Sequence, residues 1–217
     1  MPSSMSPQPS SSRGNGPAGM PVHDLARLLT GGALALIPTD TLPAVAALPR
    51  CADRIWTLKQ RPAEKPLILM AADFEQLQPV LGQPWRQEWL VQAAKGWPGA
   101  LTLVLPARGA WVEKLHPGGD SLGLRIPDCP LCRSLLRLTG PLATTSANPS
   151  ALPAATDAIE AHRYFPALPL LAPLPWPAGS GQASTVLAWQ HHQHGNTAPP
   201  GWQVVRAGAF LPRHLQA

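Results

Sequence analysis

The chain has few charges, few cysteines and no long apolar run. Charged residues make up only 13%, so the 17 Lys plus Arg against 12 Asp plus Glu, a formal charge of +5, favour polyanionic partners such as nucleotides or RNA only mildly. No apolar run approaches the about 20 residues that span a bilayer, and the N-terminus lacks the cationic and apolar regions of a signal peptide. Three cysteines cannot all pair internally, so we expect reduced thiols in a soluble cytoplasmic protein.

The first 21 residues differ in composition from the rest. They are rich in Ser, Pro and Gly, and they have one charge, at Arg13, and no apolar periodicity with which to offset the entropy of ordering. We therefore predict a disordered tail over residues 1–21 and a single domain over residues 22–217. With 45% hydrophobic residues in 217, the chain can build a core of ordinary size.

Helical and strand-like patterns alternate along the rest of the chain. The predicted strands are residues 33–37, 66–70, 100–105, 123–126, 141–145, 185–189 and 202–206. The predicted helices begin at Val22, Ala52, Asp73, Trp85, Asp128 and Thr156, with Asp73, Asp128 and Thr156 as N-caps. Pro-rich residues 166–178 are predicted to form a connecting loop. Strands separated by helices predict an α/β fold with a mixed sheet flanked by helices.

Two distant segments together predict a phosphate-binding site. Lys59 and Arg61 precede Pro62, where the chain turns extended and residues two apart point the same way, so their charges should converge, and we expect both to be exposed in a free cavity. Ser146 and Asn148 follow a strand-like run, and ligand sites in α/β folds form at such strand ends. The alternatives are a solvated basic loop for the first segment and a Ser/Asn-Pro turn for the second.

A third polar segment, Thr39-Asp40-Thr41, follows the first predicted strand and offers two hydroxyls and a carboxylate. A simple turn before Pro43 explains it equally well.

Seven short motifs occur in one order along residues 22–210. They are Ile37-Pro38-Thr39-Asp40-Thr41, Lys59-Gln60-Arg61-Pro62 with Lys65-Pro66-Leu67, Trp97-Pro98-Gly99, Gly123-Leu124-Arg125-Ile126-Pro127, Ser146-Ala147-Asn148, Ala183-Ser184-Thr185-Val186 and Arg206-Ala207-Gly208. This series resembles the YrdC-like threonylcarbamoyl-AMP synthases of the short, single-domain class. The resemblance implies a YrdC-like α/β fold, a twisted mixed sheet flanked by helices, with a large basic cavity.

The resemblance also implies an activity. Members of this family are nucleotidyltransferases that condense L-threonine, bicarbonate and ATP to threonylcarbamoyl-AMP and pyrophosphate, for the N6-threonylcarbamoyl modification of adenosine 37 in tRNA. Mg²⁺ would accompany ATP, with no metal site in the protein itself. The implied partners are a threonylcarbamoyl transferase complex that accepts the product, and tRNA or double-stranded RNA, with no membrane.

Site residues follow from the same resemblance. It implies Lys59 and Arg61 as catalytic residues that face the phosphates. The implied ATP site consists of Lys59, Arg61, Lys65, Ser121, Ser146, Asn148 and Arg206. The implied threonine site consists of Thr41, Arg125, Thr144 and Ser184.

Several residues depart from the family pattern. Pro43-Ala44 stands where the family usually has Tyr-Gly, Asp40 replaces a glutamate, and Met70 stands where some members have a polar residue. These departures fall in the expected amino-acid pocket. Ala151 replaces a Gly that often follows the Ser-x-Asn loop, and only Gly enters positive φ freely.

Other interpretations remain open from the residues. A non-catalytic RNA-binding or ribosome-associated module could use the same basic cavity. Cys129 and Cys132 have the spacing of a redox dithiol at a helix start, where the dipole would stabilise a thiolate. His191, His192 and His194 could bind a metal with Cys51, although a solvated hairpin loop is the commoner outcome for such tracts.

Overall fold

The computed structural model describes residues 17–60, 62, 65–190 and 201–210. The strands of this part are β1 (Gly19–Met20), β2 (Ala35–Ile37), β3 (Ala44–Ala47), β4 (Ile68–Met70), β5 (Leu101–Pro106), β6 (Ser121–Arg125), β7 (Leu142–Ser146), β8 (Leu170–Leu171), β9 (Thr185–Gln190) and β10 (Gly201–Arg206). Its helices are α1 (Val22–Thr30), α2 (Ala52–Lys59), α3 (Phe74–Leu77), α4 (Gln87–Ala94), α5 (Ala110–Leu115), α6 (Pro130–Thr139) and α7 (Ala158–Tyr164).

All the described strands join one mixed sheet. Their order is β1-β8-β2-β3-β7-β4-β6-β5-β9-β10. β1 and β8, β8 and β2, β4 and β6, and β5 and β9 pair in parallel, whereas the remaining neighbours are antiparallel. The predicted fold class, a mixed sheet flanked by helices, is confirmed. None of the helices in this part of the chain is long and apolar enough to cross a membrane.

The two faces of the sheet are covered to different extents. On the first face, α2, α4, α5 and α7 pack against a large core that includes Leu69, Leu103 and Leu124. On the second face, α1 and α6 pack together over a smaller cluster that includes Ala46 and Met70. Side chains alternate between faces along each strand, so partners in register share a face. The second face continues past this cluster onto β6, β5 and β9, where Val104 and Val186 are only partly buried.

Some elements differ from the predictions. Ala44–Ala47 forms β3 although its alanines give little strand signal, because it is enclosed between β2 and β7 and buried on both faces. Leu170–Leu171 forms β8 inside the predicted Pro-rich loop by pairing with Leu36. Helix α5 was also not predicted. The predicted tail ends too late, because Gly19 and Met20 pair with β8; residues 1–16 lie outside the described part.

Two of the three predicted N-caps are wrong. Asp73 caps α3 as predicted, accepting a hydrogen bond from the Gln76 amide. Helix α6 instead begins after Cys129, because Pro130 occupies its first turn, where Pro is well tolerated. Asp157 rather than Thr156 caps α7, and its carboxylate accepts a 2.8 Å hydrogen bond from the Glu160 amide.

We expect Asp157→Ala to lower the free energy of unfolding by about 1 kcal/mol, because the Glu160 amide loses its partner. Thr156→Ala is the matched control, since its hydroxyl contacts only the exposed Glu160 carboxylate and should contribute less than about 0.5 kcal/mol. Urea unfolding of both variants measures the difference. An equal loss of stability in the two variants would contradict the assignment of Asp157, rather than Thr156, as the N-cap of α7.

Candidate active site

A cavity of about 310 Å³ lies on the second face of the sheet, where the cover of α1 and α6 ends. It falls within the lower part of the size range of small-molecule sites. Its lining residues are Thr39, Thr41, Leu42, Pro43, Ala44, Pro66, Ile68, Met70, Arg125, Thr144, Thr145, Ser146, Ala154, Ala183, Ser184 and Arg206. The sheet register accounts for the location, because Ala44 pairs with Ser146, Ile68 with both Thr144 and Gly123, and Met70 with Arg125.

Arg125 is buried at the wall of this cavity, with 4% of its surface exposed. Its guanidinium donates from Nε to the Gly99 carbonyl at 3.1 Å, from Nη1 to Thr41 Oγ1 at 2.9 Å, and from Nη2 to Asp40 Oδ1 at 2.6 Å. Burial lowers the pKa of Arg125, and the Asp40 carboxylate opposes that shift by favouring the charged form. Two chain segments, the Thr39–Thr41 loop and the turn at Gly99, therefore supply the acceptors for a single buried cation.

The hydroxyl protons beside Arg125 have a fixed direction. Arginine can only donate, so Thr41 Oγ1 accepts from Nη1. Thr39 Oγ1 donates to the Leu42 carbonyl at 2.7 Å, so the 2.9 Å contact between the two threonines uses the proton of Thr41. Thr144 Oγ1 likewise donates to the Ile68 carbonyl at 3.0 Å. Thr41 and Thr144 thus offer lone pairs to a ligand, which suits a group that donates hydrogen bonds.

The segment 179–184 closes one side of the cavity against the Thr39–Thr41 loop. The Ser180 amide donates to the Asp40 carbonyl at 2.9 Å, and the Gly181 amide donates to the Thr41 carbonyl at 3.2 Å. A Cβ atom at Gly179 would collide with the carbonyl oxygen of Thr41. Glycine is therefore required there by the close approach of two backbones.

Ser184 and Arg206 form the far side of the cavity. Ser184 is buried, and its hydroxyl lies 2.8 Å from Thr102 Oγ1. Arg206 is exposed overall, and its Nε and Nη2 donate to the Ser184 carbonyl at 3.1 and 2.8 Å. The Gly208 amide donates to Thr185 Oγ1, and the backbone passes so near Ala183 that a Cβ at Gly208 would clash. These contacts explain why two distant motifs of the sequence meet here.

Lys59 differs from the sequence-based expectation of an exposed cation. It ends α2 and is 3% exposed. Its Nζ donates to the Ser146 carbonyl at 2.6 Å and to Asn148 Oδ1 at 3.3 Å, and the hydroxyls of Thr145 and Ser146 lie at 3.4 and 3.5 Å. The expectation is wrong because oxygens at the end of β7 and in the loop after it replace water around the ammonium. The carbonyl of Lys59 also accepts from Ser150 Oγ at 2.8 Å.

Ser146 and Asn148 belong to the same network as Lys59. Ser146 Oγ donates to Asn148 Oδ1 at 2.6 Å, and Asn148 Nδ2 donates to the carbonyls of Pro149 and Leu152. The side-chain oxygen of Asn148 is therefore engaged by Lys59 and Ser146 and its nitrogen by the loop backbone, whereas Ser146 lines the cavity. The structure thus joins the two segments that the sequence analysis paired, through direct contact.

Only some of the site residues predicted from the sequence line the cavity. Six of them line it: Thr41, Arg125, Thr144, Ser146, Ser184 and Arg206. Ser121 does not line it but alternates with Gly123 and Arg125 along β6, so it lies on the same face of the sheet, with Oγ 3.4 Å from His116 Nδ1. Lys65 is exposed beside Pro66, which does line the cavity. Arg61 lies outside the described residues.

Sequence analysis missed several contributors. The Gly99 carbonyl accepts from Arg125, Thr102 contacts Ser184, and Thr145 lines the cavity. Asp40 was considered as a possible ligand group, but its contact with Arg125 was not foreseen. The sequence of Leu142–Ser146 contained a usable signal. Leu142, Thr144 and Ser146 share one face of the strand, and this face changes from apolar to polar along the strand, which indicates a polar site near its end. The Gly99 carbonyl had no such signal, since every residue has one.

The alternative dithiol chemistry at Cys129 and Cys132 is not favoured by its surroundings. Both thiols are free and buried, and desolvation raises the pKa of each, the opposite of the expected thiolate stabilisation at the helix start. Within the described residues, no three His, Cys, Asp or Glu side chains are arranged to hold a metal ion. The predicted cluster of His191, His192 and His194 lies outside those residues.

The molecule is an α/β protein whose cavity combines hydroxyl and apolar side chains with one arginine buried in its wall and another at its rim, an arrangement suited to a small anionic ligand. Comparison with known proteins identifies its family. The family model Sua5_yciO_yrdC, described as "Telomere recombination", matches residues 27–208. The chain belongs to the Sua5/YciO/YrdC family.

Curated relatives carry one name. The threonylcarbamoyl-AMP synthase of Stutzerimonas stutzeri is 38% identical over 148 residues, which cover 67% of this chain and 80% of that protein. The threonylcarbamoyl-AMP synthase of Pseudomonas aeruginosa is 37% identical over 146 residues, which cover 64% and 77%.

Solved structures show the same fold. A Sua5 variant from P. abyssi superposes with a TM-score of 0.77 at 29% identity, covering 89% of this chain and 57% of that longer one. Sua5 of P. abyssi complexed with L-threonine gives a TM-score of 0.71 at 31% identity, with 77% of this chain and 50% of that one covered. E. coli YciO, at 19% identity and a TM-score of 0.71, shares the fold over 87% of this chain and 89% of its own. The chain thus spans about half the length of the two P. abyssi Sua5 chains.

We expect Lys59→Met to destabilise the protein by about 1 to 3 kcal/mol, because the buried oxygens around Nζ lose a charged donor. Lys65→Met is the matched control, since Lys65 is exposed and its replacement should cost less than about 0.5 kcal/mol. Chemical denaturation measures both values. Equal stability of the two variants would show that Lys59 does not hold the loop after β7.

We expect Gly179→Ala to cost about 1 to 3 kcal/mol, because its methyl group would be forced against backbone that cannot move aside. Gly123→Ala, on the cavity face, is the control: its Cβ would meet Ile68 at 3.6 Å, an ordinary contact. That control should stay within about 1 kcal/mol of the wild type. Thermal and urea unfolding test the pair, and a wild-type stability for Gly179→Ala would contradict the close approach of segment 179–184.

Proposed function

We propose that this protein is an L-threonylcarbamoyladenylate synthase, a nucleotidyltransferase that condenses L-threonine, bicarbonate and ATP to threonylcarbamoyl-AMP and pyrophosphate. The curated relatives bear the name of this activity at up to 38% identity, with most of their length matched. The observation that carries the proposal is Arg125, a buried guanidinium at the wall of a cavity that is also lined by Arg206, by hydroxyl-bearing side chains and by apolar side chains.

L-threonine would bind at the Arg125 end of the cavity. A guanidinium offers a planar pair of donors to a carboxylate. Thr41 and Thr144, whose protons are engaged elsewhere, would accept hydrogen bonds from the ammonium or hydroxyl of the amino acid. Ser184 would complete this set from the opposite wall. The L-threonine complex of the P. abyssi Sua5 is a relative at 31% identity that supports this class of ligand.

ATP would extend from there along the second face of the sheet. Arg206 is an exposed cation at the cavity rim, and Lys65 is a second exposed cation beside the lining residue Pro66. Ser146 lines the cavity, and Ser121 lies further along the same face. Arg61, which is not among the described residues, would add a further positive charge to this site. Lys59 and Asn148 would act by holding the Ser146 loop in place, and Lys59 would also contribute its positive potential beneath the phosphates.

The reaction needs positioning and charge stabilisation. The threonine amine attacks the carbon of bicarbonate, with loss of water, to give a carbamate, and a carbamate oxygen then attacks the α-phosphorus as the bond to pyrophosphate breaks. Negative charge accumulates on the leaving pyrophosphate, so fixed cations such as Arg206 would stabilise the transition state. No side chain needs to form a covalent intermediate.

Mg²⁺ would enter with ATP. Its preferred ligands are phosphate oxygens and water, with few ligands from protein. Ser146 Oγ and Thr144 Oγ1 have lone pairs available to accept hydrogen bonds from water ligands of the ion. The cavity therefore suits a hydrated Mg²⁺ better than an Mg²⁺ coordinated directly by carboxylates. The ion would shield the phosphate charge.

The product would serve tRNA modification. Threonylcarbamoyl-AMP is an activated mixed anhydride, so a threonylcarbamoyl transferase complex is the partner that would accept it for the N6-threonylcarbamoyl modification of adenosine 37. Direct contact with tRNA or double-stranded RNA is a further proposal, consistent with the net charge of +5.

Pyrophosphate release tests the function. We expect release from ATP and Mg²⁺ only when L-threonine and bicarbonate are both present, with threonylcarbamoyl-AMP found by mass spectrometry. Arg206→Met should raise the KM for ATP about tenfold or more, as expected for loss of a charge-assisted contact. Arg163→Met, an exposed arginine on α7, is the matched control and should leave that KM unchanged.

Two results would overturn the proposal. Pyrophosphate release that is indifferent to threonine would point to another ATP-using reaction. No release at all, together with salt-dependent RNA binding that threonine and ATP do not affect, would favour the non-catalytic RNA-binding module.

A further inference from the structure

We propose that Asp40 is a positioning residue for L-threonine: it holds the Arg125 guanidinium in the orientation that receives the substrate carboxylate, without touching the substrate itself. This inference rests on the proposed function and deepens it. Asp40 lies in the turn between β2 and β3 and is not among the lining residues of the cavity.

Asp40 is the charged partner of the Arg125 guanidinium. Nε is held by the Gly99 carbonyl and Nη1 by Thr41 Oγ1, both neutral acceptors. Among the residues that the structure describes, Asp40 alone forms an ion pair with this guanidinium, at 2.6 Å from Nη2, with 5% and 15% of the Arg125 and Asp40 side chains exposed. A buried cation without its partner is strongly unfavourable, so loss of this carboxylate would let Arg125 turn toward other acceptors or toward water.

The hydrogen-bond count explains how a held arginine can still bind. A guanidinium has five N–H groups, and the three contacts use one on each nitrogen. One N–H remains on Nη1 and one on Nη2, the pair that a carboxylate takes in a two-point contact. Asp40 fixes Nη2, so it determines whether the two remaining donors face the cavity together.

Asp40 also connects the arginine to the wall of the cavity. Its carbonyl accepts from the Ser180 amide at 2.9 Å, whereas its carboxylate accepts from Arg125. The adjacent Thr41 hydroxyl is oriented by the same guanidinium. One residue therefore links segment 179–184, the acceptor at Thr41 and the donors of Arg125. Such residues change substrate affinity through the group they hold rather than through their own contact.

Steady-state kinetics of Asp40→Asn tests this role. The amide is nearly the same size but neutral, and its oxygen can still accept, so we expect the KM for L-threonine to rise by about tenfold to a hundredfold. The KM for ATP should change less than about twofold, because the nucleotide contacts lie elsewhere on the sheet face. Asp40→Glu restores the charge with one extra methylene and should lie between Asp40→Asn and the wild type.

Two controls separate positioning from general damage. Asp73→Ala removes the cap of α3, a purely structural role, and should lower thermal stability with no change in the KM for L-threonine. In an Arg125→Lys background, where Asp40 no longer has a guanidinium to orient, Asp40→Asn should add less than about a twofold further rise in that KM. If the two substitutions instead raised the KM for L-threonine by independent factors that multiply in the double variant, the inference would be wrong.

The outcomes distinguish this inference from the proposed function. If the wild type forms threonylcarbamoyl-AMP and Asp40→Asn keeps a wild-type KM for L-threonine, only the role of Asp40 fails. If the wild type forms none, the proposed function fails first. If Asp40→Asn does not fold, Asp40→Glu decides alone: a raised KM for L-threonine with an unchanged KM for ATP supports the role, and equal changes in both, or in neither, contradict it.

Discussion

The burial of a single guanidinium organises the cavity of this protein. Arg125 cannot lose its charge and cannot reach water, so the surrounding chain has to supply three acceptors, and it does so from two separate segments. The Thr39–Thr41 loop and the Trp97–Gly99 motif converge on it from different parts of the sequence. Desolvation of both charges offsets much of the attraction between Arg125 and Asp40, so this pair contributes little net stability. The shape of the site therefore depends on the hydrogen-bond acceptors that the Arg125 guanidinium requires.

A second buried cation has a complementary structural role. Lys59 binds the carbonyl of Ser146 and the amide oxygen of Asn148, so it holds the loop after β7 as Arg125 holds the loop after β2. Because the Thr41, Thr144 and Ser146 hydroxyls have already committed their protons, the cavity presents lone pairs to donors and guanidinium groups to anions. A zwitterionic amino acid matches both requirements at once.

The sequence predicts the order of the elements well but the chemistry of single residues less well. Period-two and helical patterns located most strands and helices, and the order of seven motifs identified the family that the comparison confirmed. Ala44–Ala47 was missed because burial between two strands, rather than intrinsic propensity, makes it a strand. Lys59 was misjudged because a basic residue before Pro62 resembles a solvated loop until the loop after β7 packs over it. Asp40 was recognised only as a possible ligand group, since its partner lies 85 residues away.

The unequal cover of the sheet has a consequence for turnover. In the described part of the chain, α1 and α6 shield only part of the second face, and Ser121, Val104 and Val186 on β6, β5 and β9 are only partly buried. Under the proposed function, an acyl-adenylate formed in the cavity could leave along this side without displacing any helix that the structure describes, and product release would then not require a slow domain opening. For a compound that hydrolyses readily, an unobstructed exit would favour handover to the next enzyme over decay in place.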